Sequence, residues 1–440
     1  MNKIVTFIVG LVVLLSVLVT DAPALTDEEV YRTLIFNFIT PGARALAFGG
    51  AFIALADDAT AAEANPAGLT ILVKPELFGE FRRARFNEDA YGTEAGLFGS
   101  SDTYLQFFDY YSPTFFSFTY PTPYFTLAFS RQEVMNIKSE VYSTFDLSVF
   151  WDMPSEYFLE ETWGTLDLKL VNWNISVAKK ITETISAGFS VRICTIKANS
   201  RVNNYVYLTD SEGPDFTTLI RHQTDVGIGA NFGILWRPKE YFSMGFVYRN
   251  QPKLQLEEDF IVPAINIWGR EPEHTIFKNT FNLPDSYGLG ISLRPTPNLT
   301  FSFDLVRMMY TDLLEDFKIN YNPITIGLTE GEIEVPFTVQ DGNEYHVGGE
   351  YVFFIKKIPV ALRAGYYSDP PHQIGLDEDL FWELNEEETD PVAEVFPAGE
   401  LEHHITGGLG IAMRDNMQID IAYDYNRYRK ETVASFIYRF

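Results

Sequence analysis

PGARALAFGGAFIALADDATAAEANPAGL, residues 41–69, is the stretch on which the reading of this chain turns. It is rich in Gly and Ala and nearly free of bulky polar side chains. Asp57 and Asp58 sit in its middle, and Asn65-Pro66-Ala67-Gly68 closes it. Small residues let backbone segments approach closely, and Gly permits the positive φ that sharp turns need. Such a stretch has too little side-chain volume to form a core of its own. It reads as an insert packed inside a larger structure.

On the C-terminal side, from Lys74, the pattern changes to a period of two. Met417, Ile419, Ile421, Tyr423 and Tyr425 alternate with Gln418, Asp420, Ala422, Asp424 and Asn426. Val171, Trp173, Ile175 and Val177 form a second such face, and Val226 to Trp236 and Leu299 to Leu305 repeat it. One apolar and one polar face make half-buried strands. Fourteen strands are predicted: 75–86, 112–120, 124–140, 163–180, 184–200, 222–237, 241–253, 284–295, 299–312, 344–354, 359–368, 402–413, 417–428 and 432–440. Tight turns such as Pro121-Thr122-Pro123 and Arg414-Asp415-Asn416 alternate with longer connections such as 141–162, 203–221, 255–283 and 369–401. Short turns on one rim and long loops on the other are the arrangement of an outer-membrane β-barrel. The expected fold is therefore all-β, a 14-stranded antiparallel transmembrane β-barrel with an N-terminal hatch in its lumen.

On the N-terminal side, Lys3 precedes an apolar run from Ile4 to Val19 and then Ala22-Pro23-Ala24. A basic start, an apolar run short of the ~20 residues of a spanning helix and an A-x-A site predict a secretory signal peptide. Thr26-Asp27-Glu28-Glu29 fits a capping box that would open a short helix. The predicted division is 1–24 signal peptide, 25–73 hatch and 74–440 barrel. Cys194 is the single cysteine, so no intramolecular disulfide supports the fold. The 37 Phe and 24 Tyr suit the aromatic girdles of a membrane barrel. A net charge of −27 argues against a nucleic-acid partner.

The segment from Gly42 through Asp57-Asp58 to Asn65-Pro66-Ala67-Gly68 resembles the hatch of the FadL/TodX family of outer-membrane barrels. Its start, Gly42-Ala43-Arg44-Ala45-Leu46, is about equally similar to PorV-type outer-membrane proteins. Leu283-Pro284-Asp285, His346-Val347-Gly348-Gly349-Glu350-Tyr351 and Leu362-Arg363-Ala364-Gly365-Tyr366-Tyr367 resemble the second half of FadL barrels. The resemblance implies passive uptake of long-chain fatty acids or aromatic hydrocarbons, with hatch movement at Asn65, Pro66, Ala67 and Gly68. It also implies sideways release where the third strand kinks, a break that the polar Arg131-Gln132-Glu133 would mark. The PorV likeness implies the alternative of a partner or shuttle in protein export.

Site candidates follow from the connections. The 255–283 connection carries Phe260, Ile261, Val262, Ile265, Ile267 and Trp268, and a water-exposed loop has no reason for so much apolar surface. In FadL-like proteins this loop and the preceding one form the groove that first captures substrate, and here the preceding one offers Tyr205, Tyr207, Leu208 and Phe216. Asp57 and Asp58 are expected to latch the hatch to lumenal Arg192, Arg249 or Arg363, or else to cap a turn. Tyr438 and the terminal Phe440 look like the assembly signal read by the barrel assembly machinery. His346 is expected in the lumen, with no nucleophile signature beside it. Eleven acidic residues between Asp377 and Glu402 lack the regular spacing of a calcium loop. No catalysis, metal or cofactor is expected. The expected partners are hydrophobic small molecules and outer-membrane lipids, around a monomer exported to the outer membrane.

Overall fold

The computed structural model describes residues 38–86, 102–146, 158–208, 215–262, 273–315, 337–376, 400–413 and 416–440. The predicted signal peptide, the residues 25–37 of the predicted hatch and most of the acidic 377–402 stretch lie outside them.

Fourteen strands follow one another antiparallel: β1 (Glu76–Phe86), β2 (Tyr110–Pro121), β3 (Thr126–Asp146), β4 (Phe158–Lys180), β5 (Ile185–Leu208), β6 (Asp215–Lys239), β7 (Phe242–Asn250), β8 (Ser286–Thr296), β9 (Leu299–Met308), β10 (Gly342–Ile355), β11 (Ile358–Asp369), β12 (Glu402–Met413), β13 (Met417–Tyr425) and β14 (Arg429–Arg439). β1 pairs with β14 from Glu76↔Arg439 to Phe86↔Arg429, which closes the sheet into a barrel. Closure pairs the first strand with the last, so that no strand is left as an edge strand. Three further segments prolong the wall above the long-connection rim. Asp102–Phe107 pairs with β3, and Lys253–Val262 with both Glu273–Asn282 and β6.

The outward faces carry the apolar alternation. Trp173, Ile175 and Val177 of β4 are exposed, as are Phe189, Val191 and Ile193 of β5, while Asn174, Ser176 and Ser190 between them are buried. In water this arrangement would be inside out; in a bilayer the apolar face meets lipid.

Two departures from the expected strands matter. β3, β4, β5 and β6 run several residues further toward the long-connection rim, with pairs as far out as Asp146↔Leu159, Phe158↔Leu208 and Val206↔Asp215. Much of the predicted loops 141–162 and 203–221 is therefore strand. The outward alternation ends there in sequence because the apolar face changes sides, as described below. The second departure is in the wall between β2 and β3. Their ladder ends at Phe115↔Gln132, and β3 regains a partner on that side at Lys138, whose carbonyl accepts from Phe108 N at 2.9 Å, followed by Phe107↔Ser139. Opposite this gap, the β3–β4 ladder shifts register between Glu133 and Met135. The break falls beside Arg131-Gln132-Glu133.

Candidate functional site: the lumen and the segment it encloses

Residues 40–69 are buried almost throughout, and they sit inside the barrel. Short helices α1 (Ala43–Ala47) and α2 (Ala61–Ala64) and a 3-10 turn (Pro66–Ile71) follow the Gly/Ala sequence closely. Asn65 caps the turn by accepting from Ala67 N at 3.1 Å, and Pro66 occupies its first position, where a missing N–H costs nothing. The other end of the Asn65 side chain donates to Ile53 O at 2.9 Å and to Ile234 O of β6 at 3.0 Å. Asn65 thus joins the turn, the segment before it and the wall.

Close approach explains why the wall opposite carries glycines. A Cβ at Gly188 of β5 would overlap the backbone of Pro66 and Ala67, and one at Gly365 of β11 would overlap Phe48 and Gly49. Polar bonds complete the docking: Gly49 N donates to Thr406 Oγ1 (3.1 Å), Ile53 N to Asp304 Oδ2 (2.8 Å) and Ser243 Oγ to Ala54 O (2.8 Å). His346 is buried in the lumen with Nδ1 2.7 Å from Gly49 O and Nε2 3.1 Å from Glu344.

The ion pairs differ from the expected ones. Asp57 and Asp58 do not reach Arg192, Arg249 or Arg363. Asp58 caps a turn, as the alternative expected, accepting from Thr60 N at 2.9 Å and Thr60 Oγ1 at 2.5 Å. The cationic partner of both is Arg44 of α1, which bonds Asp57, lies 3.7 Å from Asp58 and also contacts Glu350 of β10 at 3.3 Å. A cation within the enclosed segment is nearer than any on the wall. Burial works against the charge of Arg44, and Asp57, Glu350 and Asp58 outweigh it, so its pKa is raised well above the ordinary value. Burial likewise pushes the Asp58 carboxyl upward against the pull of Arg44. Arg363 pairs instead with Glu350 and Asp420, both at 2.7 Å. Arg192 holds Glu63 of α2 at 2.8 Å, and Arg249 donates to Ala64 O at 3.0 Å. Asp57 also lies 3.8 Å from Arg294 of β8, a longer tie to the wall. Glu63 and Arg44, which make the shorter charged ties, are not among the site residues expected from the sequence.

Beyond the enclosed segment the lumen changes character. Along β4 the inward side chains are Ser176, Asn174 and Asn172, then Leu170, Leu168 and Leu166. Outward, Val177, Ile175, Trp173 and Val171 give way to Lys169 and Asp167. β5 does the same, passing inward from Ser190 and Arg192 to Cys194, Ile196 and Ala198. The register aligns these in rows, Met135–Leu170–Ile196 and Ile137–Leu168–Ala198, within one apolar cluster that also contains Leu254 and Phe281. Against this cluster lies a chamber of about 40 Å³, room for about three waters, lined by Glu63, Arg192, Arg249, Asp304 and His346 and, from the cluster itself, by Ile53, Val134, Val306 and Met308. The barrel is therefore apolar outside and polar inside at one level, and polar outside and apolar inside at the next. The sequence signal was available: Leu166, Leu168 and Leu170 alternate in the opposite phase to Trp173, Ile175 and Val177.

Of the predicted groove, backbone pairing brings the two connections together. Tyr205 faces Phe216 in register, and Leu219 and Thr218 pair with Phe260 and Ile261. Tyr207, Leu208 and Val262 belong to the same strands. Ile265, Ile267 and Trp268 lie outside the described residues. Phe440 is exposed, its N–H bonded to Pro75 O at 3.0 Å, and its ring stands edge-on to Tyr438 at 5.0 Å.

A family model described as outer membrane protein transport protein (OMPP1/FadL/TodX) matches residues 36–374. The chain belongs to this family. Among solved structures it is similar to the CymD monoaromatic hydrocarbon channel (18% identity, TM-score 0.59, covering 92% of this chain and 99% of that one). It is also similar to a Pseudomonas aeruginosa FadL homologue (16%, TM-score 0.61, 92% and 98%) and to the Ralstonia pickettii toluene transporter TbuX (15%, TM-score 0.57, 92% and 99%). No curated protein matches the chain significantly. The fold and family place it in the bacterial outer membrane as a channel of the FadL/TodX type.

Proposed function

We propose that this chain admits long-chain fatty acids or aromatic hydrocarbons, passing them from an outer apolar compartment past the enclosed Gly/Ala-rich segment. The observation that carries the reading is the inward apolar layer of Met135, Ile137, Leu166, Leu168, Leu170, Ile196 and Ala198 above the membrane-facing band. A barrel wall whose outer face is polar at that level has no use for an apolar interior unless the interior meets an apolar guest. The paired segments bearing Tyr205, Phe216 and Phe260 support a capture groove leading into it. The unpaired stretch of β3 next to Glu133 supports sideways release into the membrane. Asn65, Pro66, Ala67 and Gly68 form the element whose movement would open the path, and no catalytic step is involved. The export-partner reading has no observation in the structure behind it.

The test is uptake of labelled long-chain fatty acid, and separately of toluene, by cells that lack their own hydrophobic-compound channel. Uptake of either that falls with Leu170→Asn is expected. A correctly inserted barrel that transports neither overturns the proposal.

A further inference from the structure

The chain carries 60 acidic against 33 basic residues, yet one face of the wall is basic. On the outward side of β14, β1 and β3 to β5, just beyond the lipid-facing band, the side chains are Lys430, Arg85, Lys138, Lys169 and Lys197. Arg83 lies below Arg85 on β1, with its guanidinium over the ring of Tyr111 on β2 (5.1 Å). Arg201 continues β5 above Lys197. The acids among them are fewer: Asp109 holds Arg85 at 3.2 Å, Asp167 holds Lys138 at 3.1 Å, and the buried Glu133 takes Lys169 at 2.7 Å. Glu140 is also on this face.

Two register pairs are informative. Lys169 stands directly opposite Lys197, and Arg85 directly opposite Lys430. Like charges at directly opposed positions destabilise a sheet. One member of each pair has its own carboxylate, Asp109 for Arg85 and Glu133 for Lys169. The other members, Lys430 and Lys197, with Arg201 beyond, are the cations that an external anion would relieve. Their height on the barrel defines that anion's position: outward, above Val171, Trp173 and Ile193, where the lipid chains end and headgroups begin. An anion fixed at that depth on an outer-membrane protein is a headgroup phosphate, and basic side chains at a membrane surface attract such groups.

We propose that this face of the wall, from β14 through β1 to β5, binds the phosphate groups of an outer-leaflet lipid. The bound lipid lies against the stretch where the β2–β3 ladder is interrupted, between Gln132 and Lys138. The proposal depends on the membrane location and not on the transport reading.

The full-length protein in neutral detergent is titrated with lipid A and with enzymatically dephosphorylated lipid A, and bound lipid is counted by native mass spectrometry. The four-site variant Arg85→Gln, Lys197→Gln, Arg201→Gln and Lys430→Gln should bind lipid A at least tenfold more weakly. The corresponding Arg-to-Lys and Lys-to-Arg variant should retain binding. Lys179→Gln with Lys180→Gln, exposed at the other rim of β4, should leave it unchanged. Heat-modifiable gel mobility shows whether each barrel is folded. Equal binding of the dephosphorylated lipid, equal loss in the Lys179 and Lys180 variant, or displacement by inorganic phosphate at equal concentration overturns the proposal.

Discussion

Glu63→Gln is the perturbation that most directly tests whether the enclosed segment is latched. Glu63 and Arg192 are both almost fully buried, 2.8 Å apart, and the carboxylate also accepts from Asn174. The amide keeps the shape and some of the hydrogen bonding but leaves Arg192 without its counter-charge. Loss of one partner of a buried pair costs about 3–5 kcal/mol. Arg192 keeps two neutral acceptors, Gln251 Oε1 at 2.7 Å and Asn174 Oδ1 at 3.3 Å, which argues for the lower end of that range. If the penalty falls on the closed arrangement alone, about 3 kcal/mol raises the open-to-closed ratio roughly a hundredfold at 25 °C. Single-channel conductance in planar bilayers reads this ratio directly, and heat-modifiable mobility confirms that the barrel itself remains folded. Arg192→Gln should behave similarly. The double variant should recover much of the loss, since removing both charges of a buried pair is often close to neutral. An open fraction for Glu63→Gln within threefold of the parent would refute the latch.

Further expectations follow from the same geometry. Gly365→Val should press on the Phe48–Gly49 backbone, with a cost of about 1–3 kcal/mol typical of overpacking, seen as a higher resting leak. Leu170→Asn should place an unpaired amide in the apolar layer at a cost of about 2 kcal/mol to a bound apolar guest, read as an uptake rate lower by roughly thirtyfold with unchanged insertion. His372, in the connection after β11, is partly buried, which opposes its charge. Asp369 at 3.6 Å and the carbonyl of Pro370 at 3.1 Å nevertheless raise its pKa to about 9. A raised folded-state pKa gives a stabilisation that is complete below the unfolded value of ~6.5 and is lost as pH rises through about 9. Thermal stability should therefore decline from pH 6.5 to 9, and His372→Asn should reduce that decline in a melting experiment.

The barrel could be read from the sequence because lipid imposes a simple rule. Outward positions such as Ile175, Val191 and Ile421 must be apolar, and short turns must alternate with long connections. That rule fixes strand number and order without any knowledge of what the lumen contains. It fails where the membrane ends. At Val171 the constraint on the outward face disappears and a constraint on the inward face takes over, so the alternation of β4 changes phase rather than stopping. A reading that follows one phase takes Lys169 and Asp167 as the start of a loop and misses Leu166, Leu168 and Leu170 as a lining.

The enclosed segment failed differently. Its glycines and alanines signal close packing in general, but the choice of partners depends on which wall residue lies across the lumen, and register alone determines that. Arg44 was within thirteen residues of Asp57 and could have been weighed as its partner from the spacing alone. Glu63–Arg192 spans 129 positions, and no local pattern links the two. The two pairs therefore divide the labour physically. Arg44 with Asp57 and Asp58 holds the segment mainly to itself, whereas Glu63–Arg192 (2.8 Å), Arg44–Glu350 (3.3 Å) and the longer Asp57–Arg294 contact (3.8 Å) hold it to the wall. Only contacts of the second kind must break if the segment shifts as a unit. Neutralising Asp57 and Asp58 should therefore soften the segment without releasing it, and the large effect on conductance belongs to Glu63.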